Sequence, residues 1–271
     1  MFLLWLRVAA VLYGLASVSA LPAVLGERPR WQKSCLFLTV AGWFVHVVAM
    51  VEVLVAAHRW MPVGMHEVQS TLSLLIVTAF LLVFLRYRTI SFSVFALPLG
   101  FFLLLMPSLG PDRDTFSSPL VRSGWTYAHI ALLLAAYAAL IFSLLASFLY
   151  LAQERRLKNK QTPGFLEWLP PLDTMDQIAQ KALVLGFYCM TGGLLIGSLI
   201  AQEHVGPTYF LDPKVVLSFV MWALYVLMIF VQRSAGLRGR RAAYLSSAVF
   251  VLMLCVWAAN LLSSVHRYTT P

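Results

Sequence analysis

Six histidines carry most of the chemistry open to this chain: His46, His58, His66, His129, His204 and His266. Near neutral pH an imidazole can hold iron, hold zinc or move a proton. Rival groups are few. The three cysteines, Cys35, Cys189 and Cys255, form no C-x-x-C pair, which argues against a thiol–disulfide oxidoreductase. No C-x-x-C-H run exists for covalent haem attachment, and there is no Ser-His-Asp order, zinc motif or phosphate loop. Two charges interrupt apolar runs. Glu52 lies about a turn and a half beyond His46, near the same helical face, and Arg7 stands in the first run. Charges in lipid are costly and normally face a bundle interior. Arg7 is therefore expected to pair with Glu52, while His46 and Glu52 together offer a proton or cation site.

The elements that position these residues are membrane helices. Hydrophobic residues make up 61% of the 271 and charged residues only 11%. A soluble domain carries about 25% charge. Mean hydropathy is +0.82. A helix needs about 20 apolar residues to cross the lipid core, and eight such runs read as spans: 2–25, 35–57, 68–85, 91–107, 123–151, 182–202, 215–232 and 243–265. The fourth is short and carries Pro98. Gly193 and Gly197 in the sixth have the small-residue spacing that lets helices approach closely, which indicates packing. The fold class is thus all-α, one polytopic membrane domain over 1–271. Ser-Val-Ser-Ala20 resembles a signal cleavage site, but the only early positive charge, Arg7, lies inside the run, so an uncleaved first helix is expected.

Loop charge sets the orientation. Arg28, Arg30 and Lys33 follow the first span, and Arg86 and Arg88 the third. Arg155, Arg156, Lys158 and Lys160 follow the fifth, and Arg233, Arg238, Arg240 and Arg241 the seventh. The alternate loops hold Glu67, Asp112, Asp114, Glu203 and Asp212 instead. Basic loops stay cytoplasmic, so both termini are expected outside, which in a bacterium is the periplasm. The net charge of +9 is then a matter of topology rather than of nucleic-acid binding. The segment from Gln153 to Lys181 contains Pro163, Pro170 and Pro171, and so is not one continuous helix. In this orientation every histidine except His46 falls toward the outer side. His129 and His266 lie on two helices at a similar level, where a pair of neutral imidazoles can ligate a haem iron axially.

The outer loop reads His204-Val-Gly-Pro-Thr-Tyr-Phe-Leu-Asp-Pro-Lys214, ahead of a helix with Trp222 and Tyr225. Then come Gly236-Leu-Arg-Gly-Arg-Arg241 and a last helix ending Ser263-Ser-Val-His-Arg-Tyr268. This arrangement resembles the cytochrome c assembly family, membrane proteins of the CcsA, CcmC and HemX type. That family carries a tryptophan-rich outer loop, a helix, a basic turn and a final helix closing on histidine. Tyr127-Ala-His129, with Tyr137 beyond it, is similar to the earlier family histidine and its aromatic. The likeness covers about 70–268 and is most specific from 204 to 268. Gly206, Asp212, Pro213 and Lys214 match the family run, whereas Val205, Tyr209 and Leu211 replace its tryptophans and Val215 its acidic residue. Some members use a second histidine pair within the membrane, and here the sixth span offers no partner for His46. The general look, with Leu157-Lys-Asn-Lys160 and Pro170-Pro171-Leu172, resembles the YpjD-type inner membrane proteins most.

The resemblance implies a haem-binding or haem-handling inner membrane protein with no bond chemistry of its own. His129 and His266 would ligate non-covalent, b-type haem beneath a loop built around Tyr209 and Asp212. Lys214, Arg122 and Arg267 would meet the propionates. Implied partners are the lipid bilayer and haem-delivery or cytochrome assembly proteins. The degraded tryptophan run keeps two alternatives open: a regulator or assembly partner without haem, and an ion-coupled transporter accessory using His46 and Glu52.

Overall fold

A computed structural model describes residues 2–25, 29–56, 58, 64–110, 124–158, 170–204, 207–235 and 240–258. Among them the chain is helical, with no strand. The helices are α1 (Phe2–Leu25), α2 (Pro29–Ala56), α3 (Met65–Tyr87), α4 (Ser93–Leu109), α5 (Gly124–Lys158), α6 (Leu172–His204), α7 (Pro213–Ala235) and α8 (Arg240–Ala258). A 3-10 turn, Pro207–Leu211, joins α6 to α7. Among the described residues six helices, α1, α2, α3, α5, α6 and α7, are long and apolar enough to cross a membrane; α4 and the described apolar part of α8 are shorter. α4 keeps its helical course with Pro98 and Pro107 inside it.

Two helices outrun their apolar cores. α5 continues through Gln153-Glu-Arg-Arg156 to Lys158, where Lys158 reaches back to Glu154 one turn earlier. α6 starts at Leu172, directly after Pro170 and Pro171, and is polar until Lys181. Of the segment from Gln153 to Lys181, expected not to be one continuous helix, the first residues thus belong to α5 and those from Leu172 to α6.

The chain forms two compact units. The first holds 1–115 and 152–174, the second 116–151 and 175–271. In the first, α1 packs along α2 and α4, and α4 also packs on α3. Polar side chains bond between helices of this unit: Trp43 Nε1 on α2 donates to Thr78 Oγ1 on α3 at 2.8 Å, and Ser73 Oγ on α3 to the Gly100 carbonyl on α4 at 2.7 Å. Arg7, expected to pair with Glu52, donates its Nε to the Ser108 carbonyl at 3.1 Å. In the second unit α7 packs on α8 and carries two anchors. Trp222 Nε1 donates to Thr191 Oγ1 on α6 at 2.9 Å, and the buried Tyr225 hydroxyl to the Ala136 carbonyl on α5 at 3.5 Å. Each bond satisfies the polar end of a large aromatic that is otherwise at home in lipid or core.

Candidate functional site

His129 stands five residues into α5 and is half-buried. Its Nδ1 lies 2.7 Å from the backbone carbonyl of Gly193 on α6. A carbonyl only accepts, so Nδ1 carries the hydrogen and, in the neutral ring, Nε2 keeps its lone pair. Nε2 has no hydrogen-bond partner among the described residues. The ring lies against Gly197, one turn beyond Gly193. A Cβ at Gly197 would stand 2.4 Å from His129 Cε1 and 2.6 Å from Nδ1. The result is an imidazole anchored through Nδ1, with Nε2 unpartnered among the described residues.

The loop after α6 is built around Asp212. Its Oδ1 accepts the Lys214 backbone N–H at 3.0 Å, while its own N–H donates to the Tyr209 carbonyl at 3.1 Å. Asp212 thus caps α7, and Pro213 occupies the first helical position, where a missing N–H costs nothing. Tyr209 is 5% exposed and packs with Ala201, Val215 and Phe219. Its ring meets Phe210 edge-on at 5.4 Å, and Phe210 lies 6.3 Å from Phe219. Burial, and secondarily the Asp212 carboxylate, push the Tyr209 phenol above its ordinary range. Lys214 is half-buried and lies within electrostatic reach of both the Asp212 carboxylate and the His129 ring.

Of the residues singled out from the sequence, the second unit therefore brings His129, Lys214, Asp212 and Tyr209 into one neighbourhood. Their parts differ from the simplest expectation. Tyr209 is a core residue of the loop, and the more exposed ring beside it is Phe210, at 46%. Asp212 uses one carboxylate oxygen as a helix cap. His266, Arg267 and Arg122 lie outside the described residues. Gly193 and Gly197, read from sequence only as packing residues, prove to be what holds the imidazole. Their four-residue spacing was visible, but nothing in it pointed to a histidine 64 positions away.

The remaining histidines are placed differently. His46 is fully buried in the first unit, with Tyr13 Oη 3.3 Å from Nδ1 and Ser70 Oγ 2.8 Å from Nε2. Ser70 in turn donates to Met50 Sδ at 3.5 Å. With its hydroxyl hydrogen committed there, Ser70 accepts from Nε2, and Tyr13 donates to Nδ1. Both ring nitrogens of His46 are thus engaged. His66 Nδ1 bonds the Gly110 carbonyl at 3.1 Å, and His58 occupies a left-handed turn after α2, at φ 49°. The His204 backbone ends α6.

The family model described as Cytochrome C assembly protein matches residues 37–266. The chain belongs to the cytochrome c assembly protein family. Membership reaches further toward the N-terminus than the likeness seen over 70–268, taking in most of α2, and it ends at His266. This family member is similar to the cytochrome c biogenesis protein CcsA of Prochlorococcus marinus strain MIT 9215. The two are 29% identical over 182 residues, 58% of this chain and 59% of that protein. The CcsA of Synechococcus sp. strain CC9902 is 28% identical over 200 residues, 64% of this chain and 66% of that protein. That of Guillardia theta is 25% identical over 237 residues, 78% and 79% of the two chains. This chain thus covers about three-fifths of the first of these relatives. With six candidate spans and these relatives, it is a multi-pass membrane protein.

Proposed function

We propose that this family member binds haem in its second unit and holds or passes it on during cytochrome c assembly, contributing no bond chemistry. In this reading His129, through Nε2, and His266 would hold the haem iron. The observation that carries it is the state of His129. A metal-binding imidazole characteristically donates its second N–H to a carbonyl or carboxylate, which fixes the tautomer and the ring plane. His129 does so toward Gly193, and its Nε2 meets no hydrogen-bond partner among the described residues. Lys214 brings a cation into the same neighbourhood, and Arg122 and Arg267 complete a set suited to propionates. Without a C-x-x-C-H run the haem would be non-covalent. Bound haem would supply an iron centre that is carried or sensed; the chain supplies ligands, charge and an apolar wall. Lipid and other haem-delivery or cytochrome assembly proteins are its partners. The relatives named as cytochrome c biogenesis proteins support that placement.

In this reading the chain forms one membrane domain that crosses the bacterial inner membrane eight times. α4 and α8 add to the six longer helices, and both termini are periplasmic. The alternating basic loops support this orientation. The haem then lies at the periplasmic face.

Purification in detergent, followed by a visible spectrum, tests the proposal. A Soret band that is lost in a folded His129→Ala variant is the expected result. A chain that takes up no haem, or keeps it unchanged without His129, rules the proposal out. A second reading has support of its own: Tyr209 is buried in the loop core, and no tryptophan shelf replaces it. In that reading the chain is a haem-free regulator or assembly partner, and wild type lacks the Soret band.

A further inference from the structure

We infer that Gly197 is a positioning residue for His129, forming with the Gly193 carbonyl a notch in α6 that admits the imidazole in one orientation and one tautomer. The inference rests on the haem reading only where ligand affinity is concerned.

The notch follows from helix geometry. In an α-helix the Cα–Cβ bond tilts toward the N-terminus, so a side chain at 197 would lie over the turn that begins at 193. The Gly193 carbonyl spends one lone pair on the helix and has a second to offer. With no Cβ at 197, that side of the carbonyl is open, and the His129 ring fills the space a side chain would have taken. The 2.7 Å bond from Nδ1 depends on this opening. A Cβ at 197 would come within 2.4 Å of the ring, closer than any real contact, so the ring would have to leave and the bond would break. Gly193 is also tightly placed, but against something else. Its missing Cβ would meet Leu133 Cδ2 at 2.8 Å and Cγ at 3.0 Å, so both glycines of the notch are closed to a side chain. Gly192, one residue earlier on the same helix, takes no part in the notch, and a Cβ there would meet Leu132 Cδ1 at 3.3 Å and nothing else within 4 Å.

The test compares Gly197→Ala with Gly192→Ala in the full chain. In the haem-free protein in detergent, ¹⁵N NMR of the histidines reads the tautomer directly. Wild type and Gly192→Ala should show His129 with Nδ1 protonated and Nε2 unprotonated, and Gly197→Ala should lose that fixed pattern. Haem titration should then find Gly197→Ala weaker by roughly 10–100-fold, the usual effect of removing an outer-shell partner, with Gly192→Ala close to wild type. Adding Gly197→Ala to His129→Ala should weaken binding no further. If Gly197→Ala folds poorly, the same double variant should restore the yield, because the clashing ring is gone. An unchanged His129 tautomer in Gly197→Ala, equal loss in the two glycine variants, or no rescue by His129→Ala would each overturn the inference. A wild-type chain that binds no haem would sink the haem reading alone, since the NMR comparison judges the notch without it.

Discussion

Replacing Asp212 by alanine should loosen the start of α7 more than replacing it by asparagine. The carboxylate is 4% exposed, and its Oδ1 receives the Lys214 N–H at 3.0 Å. Removing a cap of this kind costs about 0.5–2 kcal/mol. A negative charge at a helix N-terminus adds roughly 0.3–1 kcal/mol more. Alanine loses both contributions, about 1–3 kcal/mol together, whereas asparagine keeps an acceptor oxygen and loses only the charge. At about 2–4 °C per kcal/mol for chains approaching this size, alanine should lower the apparent melting midpoint by about 2–12 °C and asparagine by about 1–4 °C. Size-exclusion thermostability in detergent, or circular dichroism on heating, would read the difference. Equal losses would mean that charge, not the cap oxygen, carries the effect, and the account of this loop would be wrong. A neutral alanine variant would show that the cap contributes nothing.

Other outcomes follow from the same structure. His46→Ala should lower stability, since interhelical hydrogen bonds in membranes contribute about 1–2 kcal/mol in model peptides and less in whole proteins, yet leave any haem spectrum unchanged. Haem loss with an intact fold would contradict this. Alkaline phosphatase fused after Glu203 should be active and after Lys160 inactive; the reverse pattern would put the histidines on the other side. Tyr209→Phe should resist alkali better than wild type. The folded phenol holds its proton above the ordinary value of about 10 while the unfolded one does not, so stability present below about pH 10 is lost as pH rises past it. Melting curves at pH 9 and above about pH 10 should converge between the two proteins at the lower pH only; parallel losses would remove Tyr209 from the explanation.

The helices were legible because lipid imposes a length and a composition on whatever crosses it. Even α4, with Pro98, keeps the bounds its apolar run suggests within two residues at either end. The polar ends of α5 and α6 were not legible, because hydropathy marks the lipid core and not where a helix stops. Gln153, Glu154, Arg155 and Arg156 are good helix formers, and they carry α5 on to Lys158. His129 stands out in the sequence by its type and depth, but the group that anchors its ring does not. The Gly193 carbonyl is a backbone group, so no side chain advertises it, and the contact spans 64 positions. Asp212 shows the opposite case. An Asp before a Pro is a helix-start signal that sequence can reveal, yet here it was read as part of the ligand site. His46 looked like half of an intramembrane relay, and only the structure brings Tyr13 and Ser70 to its two nitrogens.

The central claim is that His129 Nε2 binds haem iron, and ligand replacement tests it most directly. His129→Gly removes the imidazole and leaves a cavity of its size beside Gly193 and Gly197. The purified variant should bind haem weakly and lose the low-spin spectrum of two axial imidazoles, and free imidazole added to the solution should restore it. A His129→Gly protein whose spectrum matches wild type without added imidazole would show that His129 is not the ligand.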